Sequence, residues 1–198
     1  MKKKIRVRLK PYIQYKFINS VFTGLSTGAV FVIYGILQPS VFSIGGLILS
    51  FGILLVSKYY SSLMRLRAYY WTTIATEVIV LLAVFLILLI PKSEFLALAY
   101  YSLLNLIFVF GTYLMRFEST LFKKNRALTA IDSAKQIGNL LGLALSWLFY
   151  ESLRLLGPNV EADRSWDQIY KLHWILVIVQ LLTLLLCLKS FRMLVRKA

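Results

Sequence analysis

The stretch YYWTTIATEVIVLLAVFLILLI, residues 69–90, decides the fold of this chain. Its apolar side chains follow one another without the alternation of a barrel strand, and the run exceeds the about 20 residues that a helix needs to cross a bilayer. Inside lipid the backbone must satisfy its own hydrogen bonds, so such a run predicts a transmembrane helix. It contains one charged residue, Glu77.

Comparable apolar runs lie on both sides of this stretch. The chain is 59% hydrophobic with a mean hydropathy of +0.73, which is more apolar side chain than a soluble domain of 198 residues can bury. We therefore predict an all-α integral membrane protein, a six-helix bundle that forms one membrane domain over residues 1–198. The predicted spans are about 17–38, 41–57, 69–90, 95–115, 127–150 and 172–188.

The Lys and Arg residues between these spans predict the orientation of the chain. Cationic loops stay in the cytoplasm, whereas acidic residues have little effect. Eighteen Lys and Arg lie on one side, seven of them within residues 1–16, and four lie on the other side. We expect both termini in the cytoplasm, with 1–16 as a basic tail, in a multi-pass protein of the cell (inner or plasma) membrane.

The formal net charge of +15 follows from this distribution, because the cations lie at helix ends where topology requires them. We expect the lipid bilayer rather than nucleic acid as their partner, and the basic tail is suited to lie against anionic lipid. The single cysteine, Cys187, has no intrachain partner. One His, one Cys and scattered carboxylates offer no metal-ligand spacing, so we expect no metal and no other cofactor.

Small residues recur on the first and fifth predicted spans. Gly24 and Gly28, and likewise Gly138 and Gly142, form small-xxx-small pairs that let helices approach closely, so we predict helix packing for all four. Residues 24–28 also match the G-x-S-x-G hydrolase pattern. That nucleophile requires a strand-to-helix turn, which a position inside a helix lacks, so we expect no catalytic residue and no enzyme.

Polar side chains inside the spans are candidates for substrate binding or ion coupling, because they are costly to place in lipid. Glu77 lies about 12 Å into the third span at 1.5 Å per residue. Its position fits proton coupling and a hydrogen-bonded packing role equally well. Gln136 and Asn139 continue a polar stripe into the fifth span, and Tyr34 lies in the first; these four are the substrate or coupling candidates.

Other polar residues have a simpler interpretation. Asp132 and Lys135 are three residues apart, and we predict a local ion pair near the cytoplasmic interface. Asn105 and Gln180 lie near mid-membrane, where an amide must find a partner across helices. We predict that these two amides take part in helix packing.

Two segments carry a resemblance to a known family. They are SIGGLILSFGILLVSKYYSSLMRLRAYYW, residues 43–71, and FKKNRALTAIDSAKQIGNLLGLALSW, residues 122–147. With the small-residue first span before them, they resemble the N-terminal six-helix half of a major facilitator superfamily transporter, over residues 17–188. Arg65 and Arg67 match the basic end of the family's loop motif, whose glycine and aspartate are absent here. The sequence itself shows no internal repeat.

This resemblance implies a membrane transport protein of half the usual size. Since the family holds its substrate between two halves of one orientation, we expect a parallel homodimer that moves a small solute by alternating access. Two alternatives stay open. One is the membrane-embedded substrate-binding subunit of an energy-coupling vitamin importer, and the other is a structural or assembly protein whose polar residues only join helices.

Overall fold

The computed structural model describes residues 3–34, 37–89, 94–156 and 161–195. They form a bundle of helices closed at one end by a two-stranded sheet. The helix α3 is a single turn, and the other helices are 20 to 32 residues long. In chain order the elements are β1 (Lys3–Val7), α1 (Leu9–Tyr34), α2 (Pro39–Lys58), α3 (Tyr60–Leu63), α4 (Leu66–Leu89), α5 (Glu94–Leu121), α6 (Asn125–Leu156), α7 (Glu161–Ser190) and β2 (Phe191–Val195).

Four stretches of helix in the described chain are long and apolar enough to cross a membrane. They are Pro39–Lys58, Leu66–Leu89, Ala97–Leu121 and Asp167–Ser190. The prediction of a helical membrane protein is therefore confirmed for four of the six spans.

The other two predicted spans fall on α1 and α6. The apolar stretch of α6 is bounded by polar residues at both ends, with Lys135 and Asn139 before it and Glu151 after it. This composition explains why α6 is long enough for a span but less apolar than the four helices above.

The sheet pairs the two ends of the chain. β1 runs antiparallel to β2 with Val7 opposite Phe191, and the backbone N–H of Arg8 donates to the carbonyl of Ser190 at 2.9 Å. We call the end of the bundle that carries β1 and β2 the terminal end. The predicted basic tail, residues 1–16, thus contains a strand and the first turns of α1.

Alternation of side chains explains why these segments form strands. Successive residues of a strand point to opposite faces. Ile5, Val7 and Phe191 pack on the bundle, whereas Arg6 and Arg192, which lie opposite one another, are exposed. The sheet therefore places an apolar face on the helices and a cationic face outward.

Glycines set the packing of α1 against α6. A Cβ on Gly24 would lie 2.9 Å from the carbonyl carbon of Gly142, and a Cβ on Gly28 would lie 2.8 Å from the ring of Tyr150. Gly138 faces the α1 backbone in the same way. Contact positions rise together along both helices, so α1 and α6 are parallel and their backbones touch.

A second parallel pair, α2 and α5, uses the same device. A Cβ on Gly45 would lie 2.6 Å from the Tyr101 ring, and a Cβ on Gly52 would lie 2.7 Å from a methyl of Val109. The Tyr101 hydroxyl donates to the carbonyl of Phe42 at 3.3 Å. Each pair thus joins a helix of the first half of the chain to one of the second half.

The long helices fall into two units in chain order, α1–α2–α4 and α5–α6–α7, and the main contacts of each helix are with helices of the other unit. α1 packs on α6 and α7, α5 packs on α2 and α4, and α4 packs on α7. The first helix of each unit therefore packs on the second and third helices of the other. This is the contact pattern of two units related by a two-fold axis.

The bundle interior has two cores of different composition. The core away from the sheet is mainly aliphatic, and the core at the terminal end is mainly aromatic. The first contains Val21, Phe22, Leu25, Ala29, Ala83, Val84, Ile87, Ala97, Tyr100, Ile169, Leu172 and Leu176. The second contains Tyr12, Tyr15, Tyr69, Tyr70, Tyr113, Phe117, Ile131, Cys187 and Phe191.

The α1–α6 contact predicts a sharp difference between two glycines. Gly142→Ala would place its methyl 2.9 Å from the Gly24 Cα, a backbone atom that cannot move alone. We expect it to lower the free energy of unfolding by roughly 1–3 kcal/mol, as overpacking does. Gly46→Ala is the control, because nothing lies within 4 Å of its Cβ position. Unfolding in mixed micelles measures both, and equal effects would contradict the packing role.

Candidate functional site

Ionisable and amide side chains from five helices meet inside the terminal end of the bundle. We call this group the carboxylate cluster. Its α1 members recur at three- and four-residue spacing, which places them on one helix face. The members are Tyr12, Tyr15, Lys16 and Asn19 on α1, Tyr69 and Glu77 on α4, Glu118 on α5, Asp132 and Lys135 on α6, and Gln180 on α7.

Glu118 is the member of the cluster that pairs with two cations. Its side chain is buried, and its Oε2 accepts a hydrogen bond from the Tyr12 hydroxyl at 2.5 Å and lies 2.8 Å from Lys16 Nζ. Lys135 Nζ forms an ion pair with the other oxygen and lies 3.3 Å from Asp132 Oδ1 at the surface. Two lysines therefore pair with two carboxylates, and the ion pairs of Glu118 connect α5 to α1 and α6.

Aromatic rings surround the Lys16 ammonium. Its Nζ lies 5.4 Å from the Tyr12 ring centroid and 5.3 Å from that of Tyr15, within the range of cation–π attraction. The Tyr12 hydroxyl also shares a hydrogen bond with the Tyr69 hydroxyl, and the Tyr69 ring stacks on Phe117 at 4.7 Å. These rings bury the ion pairs.

Glu77 forms a second node, which joins α1, α4 and α7. Its Oε1 accepts from the Tyr15 hydroxyl at 2.5 Å and from Asn19 Nδ2 at 3.1 Å. Its Oε2 accepts from Gln180 Nε2 at 2.8 Å, and the same nitrogen donates to the Glu77 carbonyl at 3.0 Å. Gln180 Oε1 is buried without a hydrogen-bond partner in the described chain. Both carboxylate oxygens of Glu77 are thus satisfied by neutral donors.

The remaining predicted candidates lie elsewhere. Gln136 is exposed on α6 and Asn139 is half-buried on the same helix; neither takes part in the cluster's described bonds. Asn105 donates to the carbonyl of Tyr101 at 3.0 Å, within its own helix. Tyr34 ends α1, and its side chain lies outside the described part of the structure.

The structure thus brings together four residues that the sequence singled out, Glu77, Gln180, Asp132 and Lys135. The sequence analysis missed the α1 members of the cluster and also missed Glu118. Tyr12, Tyr15 and Lys16 fall in the predicted cytoplasmic tail, Asn19 falls near the start of the first predicted span, and Glu118 lies beyond the end of the fourth. The helical spacing of the α1 members, and an acidic residue isolated among loop cations, were the available signals.

Carboxylates that accept from tyrosine hydroxyls and lysines can exchange protons with them, which is the chemistry of intramembrane relays. In the described ranges, no group of three or more His, Cys, Asp or Glu residues could hold a metal ion. Two further buried atoms, His173 Nε2 and the Tyr150 hydroxyl, have no hydrogen-bond partner among the described residues. Both lie in the half of the bundle away from the cluster.

No protein-family model matches this sequence, and comparison with curated proteins and with solved structures gives no match.

The two carboxylates of α5 and α6 should differ strongly in their effect on stability. Glu118→Ala leaves Lys16 and Lys135 without their buried partner, and we expect a loss of about 3–5 kcal/mol in the free energy of unfolding. Asp132→Ala removes an exposed i,i+3 pair and should cost less than about 1 kcal/mol. Unfolding in mixed micelles measures both variants. Similar losses of unfolding free energy in the two variants would show that the buried ion pairs of Glu118 contribute no more to stability than the exposed pair of Asp132.

Substitutions at Glu77 separate charge from hydrogen bonding. Glu77→Ala removes the acceptor for Tyr15 and Gln180, and each buried unsatisfied donor should cost about 1–3 kcal/mol. In Glu77→Gln, the amide oxygen can still accept from Gln180 while the amide nitrogen donates to the Tyr15 hydroxyl, so stability should stay within about 1 kcal/mol of the parent chain. Thermal unfolding in detergent tests this order, and a reversed order would overturn it.

Proposed function

We propose that this chain is a half-size membrane transport protein that works as a parallel homodimer and moves a small solute by alternating access. Its design is similar to the N-terminal half of a major facilitator superfamily transporter. The observation that carries the proposal is the reciprocal packing of α1–α2–α4 and α5–α6–α7, in which the first helix of each unit contacts the second and third helices of the other. Facilitator halves contain nested 3+3 inverted repeats, and this reciprocal packing is the contact pattern expected of such repeats.

Six spans with both termini in the cytoplasm form part of the same proposal. Paired termini support an even number of crossings, because β1 and β2 must lie on one side of the membrane. Adding α1 and α6 to the four apolar helices gives six. α1 and α6 are parallel, as expected for the first and fifth spans of a bundle whose successive spans alternate in direction. The excess of cations at the terminal end favours the cytoplasm for that end.

The second helix of each unit offers a surface for a second copy. α2 packs mainly on α5 and α6 mainly on α1, and each keeps an exposed apolar face. The two-fold relation between the units gives these helices equivalent positions. The exposed side chains include Ile44, Leu47 and Phe51 on α2, and Leu140 and Leu148 on α6.

Within this proposal, Glu77 is the residue suited to couple a proton to transport. It lies inside the bundle, joins three helices, and accepts bonds from groups that tolerate either protonation state. Glu77→Gln preserves the contacts but not the titration. It should therefore keep the fold and lose any dependence of flux on a proton gradient.

Oxidative crosslinking in the native membrane tests the dimer. Leu140 on α6 and Ile178 on α7 are exposed by 67% and 66%, so they are matched in accessibility. In a Cys187→Ser background, Leu140→Cys should form covalent dimers, because the proposal places this exposed face of α6 in the contact between the two copies, beside the two-fold axis. Ile178→Cys should not, since the proposal places the outer face of α7 against lipid.

Light scattering of the purified chain, with the detergent mass subtracted, provides the second measurement. A mass of two chains agrees with the proposal. A strict monomer across mild detergents, together with equal crosslinking at both positions, would overturn it and favour a structural or assembly role. A stable dimer that carries no solute across vesicle membranes would contradict transport while leaving the assembly intact.

A further inference from the structure

A groove opens between α1, α6 and α7 at the terminal end, on the outer surface of the bundle. Its volume is about 670 Å³. Its mouth lies at Lys189, beside the sheet; Gln14 and Ser133 are the other polar residues of the lining, and the rest of the lining is apolar. From Lys189 to Leu182 the groove extends about 10 Å along α7 at 1.5 Å per residue. The apolar lining includes Ile13, Phe17, Ile18, Ile137, Leu182 and Leu186.

Four unpaired cations lie at the last turn of α7 and on or next to the sheet beside this groove. Lys189 is exposed, and the Arg8 guanidinium donates to its carbonyl. Arg6 and Arg192 lie opposite one another on the adjoining sheet, both exposed. None of these four takes part in an ion pair with the described acidic residues. Like charges directly opposite in a sheet repel, so an anion bound beside Arg6 and Arg192 would stabilise this surface.

The opposite end of the bundle is different. Its described cations have acidic partners on their own helices, Arg154 with Glu151 at 2.5 Å and Lys171 with Asp167 at 2.7 Å. The hydrogen bond from Arg154 holds the pKa of the Glu151 carboxyl below its ordinary value. Among the residues with described ion pairs, positive and negative charges are therefore balanced at that end, whereas the cations beside the groove have no described acidic partner.

We propose that this groove binds one anionic phospholipid. The phosphate lies against Lys189 and Arg8, and an acyl chain follows the apolar walls of α1, α6 and α7. An amphiphile fits both parts of the site, because cations at the mouth attract an anionic headgroup and the lining is apolar beyond it. A free phosphate would use only the mouth. The site does not depend on transport.

The pairing of the chain ends gives this site its cations. Arg8 follows β1 directly, and Lys189 lies two residues before β2, so the sheet fixes the two basic residues beside each other. The bound lipid would in turn neutralise the repulsion between Arg6 and Arg192. Lipid binding and the pairing of β1 with β2 should therefore stabilise each other.

Native mass spectrometry of the full chain tests the site, with phosphatidylglycerol or phosphatidylcholine added at equal concentration. The parent chain should retain phosphatidylglycerol in preference. Lys189→Gln and Arg8→Gln should each weaken retention about fivefold, the contribution of one cation near an anionic surface. Lys58→Gln is the matched control, since Lys58 is an exposed cation that ends α2, outside the groove lining.

A second pair of variants tests the apolar walls without changing charge. Ala130→Trp fills the groove and should abolish preferential retention, whereas Ala144→Trp, on an exposed position of the same helix outside the lining, should not. Added inorganic phosphate should fail to displace the lipid.

Four outcomes would overturn the proposal. Equal retention of the two lipids would show that the headgroup charge is not recognised. Equal effects of Lys58→Gln and Lys189→Gln would reduce the preference to general surface charge. Full displacement of the lipid by phosphate, or normal lipid retention by Ala130→Trp, would show that the acyl chain does not bind in the groove.

Discussion

A charge buried at the end of a helical bundle must have its partners within reach, and in this chain that constraint falls on Glu118. Its carboxylate meets Lys16 from α1 and Lys135 from α6, together with the Tyr12 hydroxyl. Removal of the Glu118 carboxylate would leave two ammonium groups without their buried partner. One side chain therefore fixes the relative positions of α1, α5 and α6 at this end. Glu77 of α4 holds α4 and α7 against the next turn of α1 in the same way.

The glycine contacts impose a different kind of constraint on the same helices. Between Gly24 and Gly142 the backbones touch, so α1 and α6 can neither rotate nor slide there without collision. Such contacts fix distance but carry little directional energy, whereas the carboxylate cluster fixes direction through hydrogen bonds. α1 satisfies both constraints at once, with glycines along its middle and a polar face in its first turns. It is accordingly the helix around which α6 and α7 pack.

The sequence predicted the features that depend on composition and local spacing. Apolar runs are visible in any window of the chain, and the span at 69–90 coincides with α4 to within a few residues at its start. The close approach of Gly138 to α1 followed from the small-xxx-small rule. These signals are local, because each depends on a few consecutive residues in contact with lipid or with one neighbouring helix.

The missed features depend on residues far apart in the chain. Glu118 and Lys16 are separated by about a hundred positions, and each alone is an ordinary charge near a helix end. The strand pairing requires both ends of the chain at one place, so neither basic segment indicates it alone. The two-unit contact pattern is likewise a property of packing: glycine contacts at Gly45 and Gly24 can be equivalent in space without any similarity in sequence.

The saturation of the cluster bears on where a solute could bind. Glu77 and Glu118 already hold their donors inside one protomer, so a solute entering there would have to displace well-formed hydrogen bonds and leave buried groups unpaired. Alternating access by rocking requires halves that move as rigid bodies around a site between them. A bundle fixed by ion pairs at one end and by glycine contacts in its middle meets that requirement. Under the proposed function, the solute site therefore lies between two copies, and the carboxylate cluster keeps each copy rigid.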